Sequence, residues 1–333
     1  MAHNIASTWP WLPVELLETI LLTAWTSPMT DDERATLFTS LCQVNHRFLS
    51  TFIPIALRDV HIPMPLSSEE YLRILRERAT FERNDDYLMV DASATANQLC
   101  RSLTFSVRHN PKATQLLLGT PSILLYAADD PAASAISSTL YMVRMLDYLP
   151  RLRRVSIEYA NWGFDDIGEQ GRLLAFPDQV THLDVRFTFT TRKYAELGAA
   201  LRKDYYRRWH AATHLPGVRH LSVYGAPADF VSEMVWSCSN AETVHLDGLT
   251  PLDELIAFPA TVRELGVHMG PTPLRRSDIE EWGLKTALEK GLFKRARTGV
   301  RIVVSSGSPE AVAWEDARRL CQRYNVELVH SLA

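Results

Sequence analysis

Cysteine is scarce and scattered. The 333-residue chain has four, Cys42, Cys100, Cys238 and Cys321, and no Cys-x-x-Cys pair. That argues against a disulfide framework or a thiolate zinc site and fits reduced, mostly buried thiols in an intracellular compartment. A basic surplus is missing as well. Thirty-five Lys and Arg against 39 Asp and Glu leave a formal charge of −4, which gives no footprint for nonspecific nucleic-acid or membrane binding. The longest apolar run, Ile123 to Ala128, is far too short to span a bilayer. Met1 to Trp9 has neither the positive region nor the apolar run of a signal peptide. The expectation is a soluble protein of the cytoplasm, the nucleus or both.

Catalytic signatures are missing too. There is no His-Glu-x-x-His, no Gly-x-Ser-x-Gly and no Gly-x-Gly-x-x-Gly. Ser305 to Pro309 lacks the Lys and the glycine spacing of a phosphate loop, so Ser308 reads as a helix N-cap. The acids Asp31-Asp32-Glu33, Asp129-Asp130 and Asp165-Asp166 sit in polar connections and read as solvated or capping. Arg202 to His210 interleaves basic and aromatic residues, and a helix with packed apolar stems explains it as well as nucleic acid does. No catalytic residue, metal ligand or cofactor is implied, although a site scattered along the sequence stays open.

What is present is a recurring phrase: a proline, a gap, an apolar residue, two more residues, then apolar-x-apolar. It runs through Leu99 to Phe105, Pro150 to Ile157, Pro177 to Val185, Pro216 to Val223, Ala241 to Leu246 and Pro259 to Val267. Leu103, Val155, Leu183, Leu221, Val244 and Leu265 hold the common register. Arg301 to Val304 and Val326 to Val329 continue the series. Helical stretches are expected between strands at Leu140 to Leu149, Tyr194 to His210 and Pro309 to Gln322, with Ala127 to Ser138 a mobile surface loop. One strand and one helix per unit bury a continuous core by stacking, which is solenoid logic. A compact α/β domain with a mostly parallel sheet is the alternative.

Period-two alternation then places one set of side chains on a shared outer face. That set comprises Arg154, Ser156 and Glu158; His182, Asp184 and Arg186; His220, Ser222 and Tyr224; Thr243, His245 and Asp247; Glu264 and His268. Its mixed charge reads as a solvated face or a protein-recognition surface. Four histidines on neighbouring strands do not converge well enough to suggest a metal site.

Ahead of the repeats, Trp11 to Ile62 reads as three short helices. Pro13 suits a first turn, and Leu16, Leu17, Ile20 and Leu21 form an amphipathic stripe. A second helix is expected through Leu37, Leu41, Val44 and Phe48, and Pro54 interrupts the chain before a third around Ala56 and Leu57. After Pro63, Ser67-x-x-Glu70 reads as a capping box that opens a joining helix. Leu12-Pro13-x-Glu15-Leu16-x-x-x-Ile20-Leu21, then Cys42-x-Val44-Asn45-His46-Arg47-Phe48, then Leu57-x-x-Val60-x-Ile62 resemble an F-box, with Ser27 to Thr36 lengthening one connection. The phrases that follow resemble the degenerate leucine-rich repeats that often accompany it.

The resemblance implies an α/β chain: a three-helix F-box at 10–62, a linker helix at 63–98, and an irregular leucine-rich-repeat-like solenoid with a mostly parallel sheet at 99–333. It implies a non-catalytic substrate-recognition subunit of a Skp–cullin–F-box ubiquitin ligase. Leu12, Pro13, Glu15, Leu16, Ile20, Leu21, Val44 and Phe48 would bind a Skp-type adaptor and, through it, a cullin. The target protein would meet Arg154, Glu158, His182, Asp184, Arg186, His220, Tyr224, His245, Asp247 and His268. Nucleic acid and membrane are not expected partners. An interaction scaffold outside any ligase is the alternative.

Overall fold

Nine strands pair side by side in chain order, every neighbouring pair parallel. They are β1 (Asp59–Pro63), β2 (Ser102–Arg108), β3 (Arg154–Ala160), β4 (His182–Thr188), β5 (His220–Tyr224), β6 (Thr243–Asp247), β7 (Glu264–Pro273), β8 (Val300–Gly307) and β9 (Val326–Leu332). The protein is seen here in a computed structural model that describes residues 12–63, 65–76, 91–108, 131–164, 166–169, 172–196, 214–248, 250–296 and 299–332. The fold is α/β.

The register residues expected from the phrases, Leu103, Val155, Leu183, Leu221, Val244 and Leu265, fall into one cross-strand row, which Val60 extends at one end and Ile302 and Leu328 at the other. All nine are buried. A second row two residues on, from Ile62 and Phe105 through Ile157, Val185 and Val223 to Leu246, is buried as well.

The phrase has a physical cause. Its leading apolar residue, such as Leu152, Val180, Val218 or Val262, is buried and donates its N–H to the carbonyl three residues back. The carbonyl just before each of β2 to β6 then accepts two successive N–H groups from the next unit. Arg101 O takes Arg153 and Arg154, Arg153 O takes Thr181 and His182, and Thr181 O takes Arg219 and His220. The starts of β3 to β7 are thereby each fixed against the strand before.

Helices cover the apolar side: α4 (Pro65–Arg76), α5 (Ala92–Leu99), α6 (Pro131–Met145), α7 (Ala228–Ser237) and α8 (Ala311–Arg323). Four expectations shift here. Residues 131–138 are helical rather than loop, and Ile136, fully buried, explains why. That helix then stops at Met145, short of Leu149. Helix α4 opens at Pro65, two residues before the expected cap, because proline is well suited to the first helical turn. Glu310 rather than Ser308 stands at the N-cap position of helix α8, without a side-chain capping bond. Most of Tyr194 to His210, and Asp129-Asp130, lie outside the described residues.

At the N-terminus stand α1 (Val14–Thr26), α2 (Asp31–Val44) and α3 (His46–Arg58). The acidic insert is the start of α2, not part of a long connection. Thr30 and Glu33 form a reciprocal capping box, Thr30 N donating to Glu33 Oε2 at 2.8 Å, and Asp31 and Asp32 suit the positive end of the helix. The expected second helix is split at Asn45, whose Oδ1 accepts from Phe48 N at 3.0 Å. Phe48 therefore belongs to α3.

Helix α3 runs unbroken through Pro54 because both its faces are packed. Leu49, Ile53 and Leu57 enter the main core, while Phe52, Ile55 and Ala56 join Leu17, Leu21 and Trp25 in a second cluster. Val60 and Ile62, read as the close of the helical unit, lie instead in the first strand of the sheet.

A side chain at this junction makes a pH prediction. His61 sits edge-on to Trp25 with ring centres 5.6 Å apart. Burial first, then the Arg34 charge, pull its pKa from 6.5 down to about 4, with Asp59 opposing. Between those values the unfolded chain binds a proton that the folded chain refuses, so stability is full above pH 6.5 and falls as the pH drops toward 4. Urea midpoints measured at both ends of that window should diverge for the parent protein and diverge less for His61→Phe.

Candidate functional site

Two surfaces carry the residues singled out from the sequence. The first is the polar side of the sheet, where three rows run across the strands. Arg154, His182, His220, Thr243 and Glu264 lie in the first; Ser156, Asp184, Ser222 and His245 in the second; Glu158, Arg186 and Tyr224 in the third. Asp247 and His268 are paired at that same depth on β6 and β7. Their side chains are exposed or half-buried, as the alternation predicts.

These groups are not equivalent. In the first row the His182 and His220 rings stack at 4.1 Å, and His220 Nδ1 lies 2.7 Å from Thr243 Oγ1. Burial, the facing His220 and Arg154 hold the pKa of His182 below its ordinary value, against the pull of Asp184. Asp184 accepts from Ser156 Oγ at 3.2 Å and faces Arg154 Nε at 3.5 Å. Asp247 is committed to the following turn, accepting from Gly225 N and, at 3.1 Å, from Thr250 Oγ1. It is a structural carboxylate, which narrows the recognition set.

Glu158 and Arg186, opposite each other, project from exposed positions, and Arg186 lies over the Tyr224 ring at 5.1 Å. Among the described residues no group of three or more His, Cys, Asp or Glu is placed to hold a metal. His182 and His220 share a row, while His245 and His268 stand at different depths.

Gly266 makes room for His245. A Cβ at Gly266 would stand 2.6 Å from His245 Nδ1. Burial, the leading cause, holds the His245 pKa below its ordinary value. Gly266→Ala should cost about 1–3 kcal/mol through overpacking, and His245→Ala in the same chain should restore most of it. Chemical denaturation of the four species reads the cycle.

The second surface is the outer side of α1. Leu17, Leu21 and Trp25 are buried, whereas Leu12, Leu16 and Ile20 are 51–53 % exposed, as is Val44 at the end of α2. Arg47 Nη2 donates to Leu12 O at 2.9 Å, which ties the Asn45 junction, next to Val44, to the start of α1. Pro13 and Glu15 are also exposed. Leu21, at 3 % exposure, is a core residue and cannot reach a partner. Phe48 is half-buried against the same cluster.

Other features were not visible in advance. Asp31 accepts from Ser106 Oγ at 2.9 Å and pairs with Arg108 Nε at 2.8 Å, so α2 is pinned to the end of β2. Asp166, expected to be solvated or capping, is buried. It receives Tyr159 Oη at 2.8 Å and Arg172 Nη2 at 2.9 Å. Tyr159 could have been flagged as an aromatic on the apolar side of its strand, but nothing local ties it to an acid.

Compared with known proteins, the chain matches no family model and no curated protein. Among the described residues no helix is long and apolar enough to cross a membrane.

Proposed function

We propose that this chain is a substrate-recognition subunit of a Skp–cullin–F-box ubiquitin ligase, with 10–62 acting as an F-box and the sheet domain as a leucine-rich-repeat-like solenoid. The observation that carries the reading is the two-sidedness of α1. Leu17, Leu21 and Trp25 satisfy the protein's own core, yet Leu12, Leu16 and Ile20, in the positions of the F-box motif, stay about half exposed. A solvent-facing apolar strip of this kind favours a partner. The strictly sequential parallel order and the single ladder from Val60 to Leu328 support a stacked-unit solenoid.

Helices α1 to α3 hold the adaptor, and the polar sheet face, around Glu158, Arg186, Tyr224 and His268, holds the target. Such a protein performs no bond chemistry. It raises the effective concentration of the ubiquitin-loaded enzyme near the target's lysines. The exposed polar sheet face supports this division, since an all-parallel sheet ordinarily has both faces covered. The test is gel filtration of the purified chain mixed with a Skp-type adaptor and a cullin. Co-elution of all three supports the ligase role, adaptor without cullin supports a scaffold outside any ligase, and no shift overturns both.

A further inference from the structure

Between α2, α3, α4 and the β1 edge lies a crevice of about 290 Å³, near the lower end of small-molecule sites. Trp25, Phe38, Ile53, Leu57, Ile62 and Ile74 give it an apolar wall. Arg34 also lines it and is only 8 % exposed. Its guanidinium donates to the carbonyls of Trp25 and Ser27, the latter at 3.3 Å, and lies over the Trp25 ring at 5.1 Å. Those partners are neutral.

Among the described residues no carboxylate stands within ion-pair distance of Arg34. Glu158 and Asp31, the latter paired with Arg108, act on Arg34 through charge alone, from beyond ion-pair distance, and burial outweighs them, holding the Arg34 pKa below its ordinary value. A buried cation without an anion is costly, and supplying a carboxylate relieves that cost. The other ionisable groups are Glu70, exposed and solvated at the rim, His61, half-buried on the wall, and Tyr71, buried with its hydroxyl donating to Cys100 Sγ.

We propose that this crevice binds a small amphipathic monocarboxylate, its apolar body against Trp25, Phe38 and Ile74 and its carboxylate directed at Arg34. A peptide or lipid chain is too large for the volume, whereas an aryl or medium-chain alkyl acid fits it. The ligand would bridge the helical unit and the first strand, so its binding should stiffen the junction between the two. This inference is independent of the adaptor reading, because the exposed side of α1 faces away from the crevice.

The test is calorimetric titration of the full chain with 4-phenylbutyrate, 2-naphthoate and octanoate, each beside its matched alcohol and amine. At least one acid is expected to bind at least tenfold more tightly than both counterparts. Thr39 lies at the exposed rim, so Thr39→Trp should block entry and weaken that acid at least tenfold while leaving the melting temperature unchanged. Arg34→Gln should erase the preference for acid over alcohol, and the rim variant keeps the test decisive if Arg34→Gln fails to fold. No binding by any acid at millimolar concentration, or equal binding of acid and alcohol, or indifference to Thr39→Trp, overturns the proposal.

Discussion

Replacing Leu16 and Ile20 together by Asp is expected to weaken the complex with a Skp-type adaptor by at least ~100-fold, because each removes an apolar anchor and buries a charge against the partner. The same pair should leave the fold intact. Both side chains are more than half exposed, and the face of α1 that packs inward carries Leu17, Leu21 and Trp25 instead. Circular dichroism and urea unfolding check the second half, and calorimetric titration checks the first. Leu21→Asp is the contrasting control. Leu21 is buried, so this change should unfold the helical unit rather than spare it.

Arg172→Met should destabilise the sheet domain by about 3–5 kcal/mol, since it strands a buried carboxylate that Arg172 now neutralises. Asp166 and Arg172 have side chains only 6 % and 4 % exposed, and Tyr159 donates to the same carboxylate. A companion Asp166→Asn in the Arg172→Met background should recover part of the loss, because the remaining amide carries no charge to desolvate. Chemical denaturation of the two variants against the parent reads both figures. Equal stability of Arg172→Met and the parent would show that Asp166 is solvated after all.

The sheet was legible in the sequence because a parallel strand open on one face alternates with period two. Leu103, Val155, Leu183, Leu221, Val244 and Leu265 could be aligned by eye, and pairing places all six in one row. The first strand was not legible. Val60 and Ile62 follow α3 with no proline or glycine between them, so they read as a helical tail. Helix boundaries at the N-terminus failed for a related reason. Asn45 and Thr30 act as caps through their side chains, whereas Pro54 was given too much weight against packing on both faces of α3.

The polar face was legible as a face, but the commitments within it were not. Asp247 looks like its neighbours in the sequence and differs only because the turn at Gly225 reaches its carboxylate. Arg34 lay in an insert that read as connection, so its burial beside Trp25 and His61 could not be anticipated. Pairings of this kind depend on which strands and helices meet, and local spacing does not encode that.

Direct titration of the purified chain with a purified Skp-type adaptor bears most closely on the function proposed for it. A one-to-one complex that the Leu16→Asp and Ile20→Asp pair abolishes is the expected result. A folded chain that releases no heat on mixing, and elutes alone from gel filtration, would contradict the ligase role and leave α1 to α3 as a helical cap on the sheet.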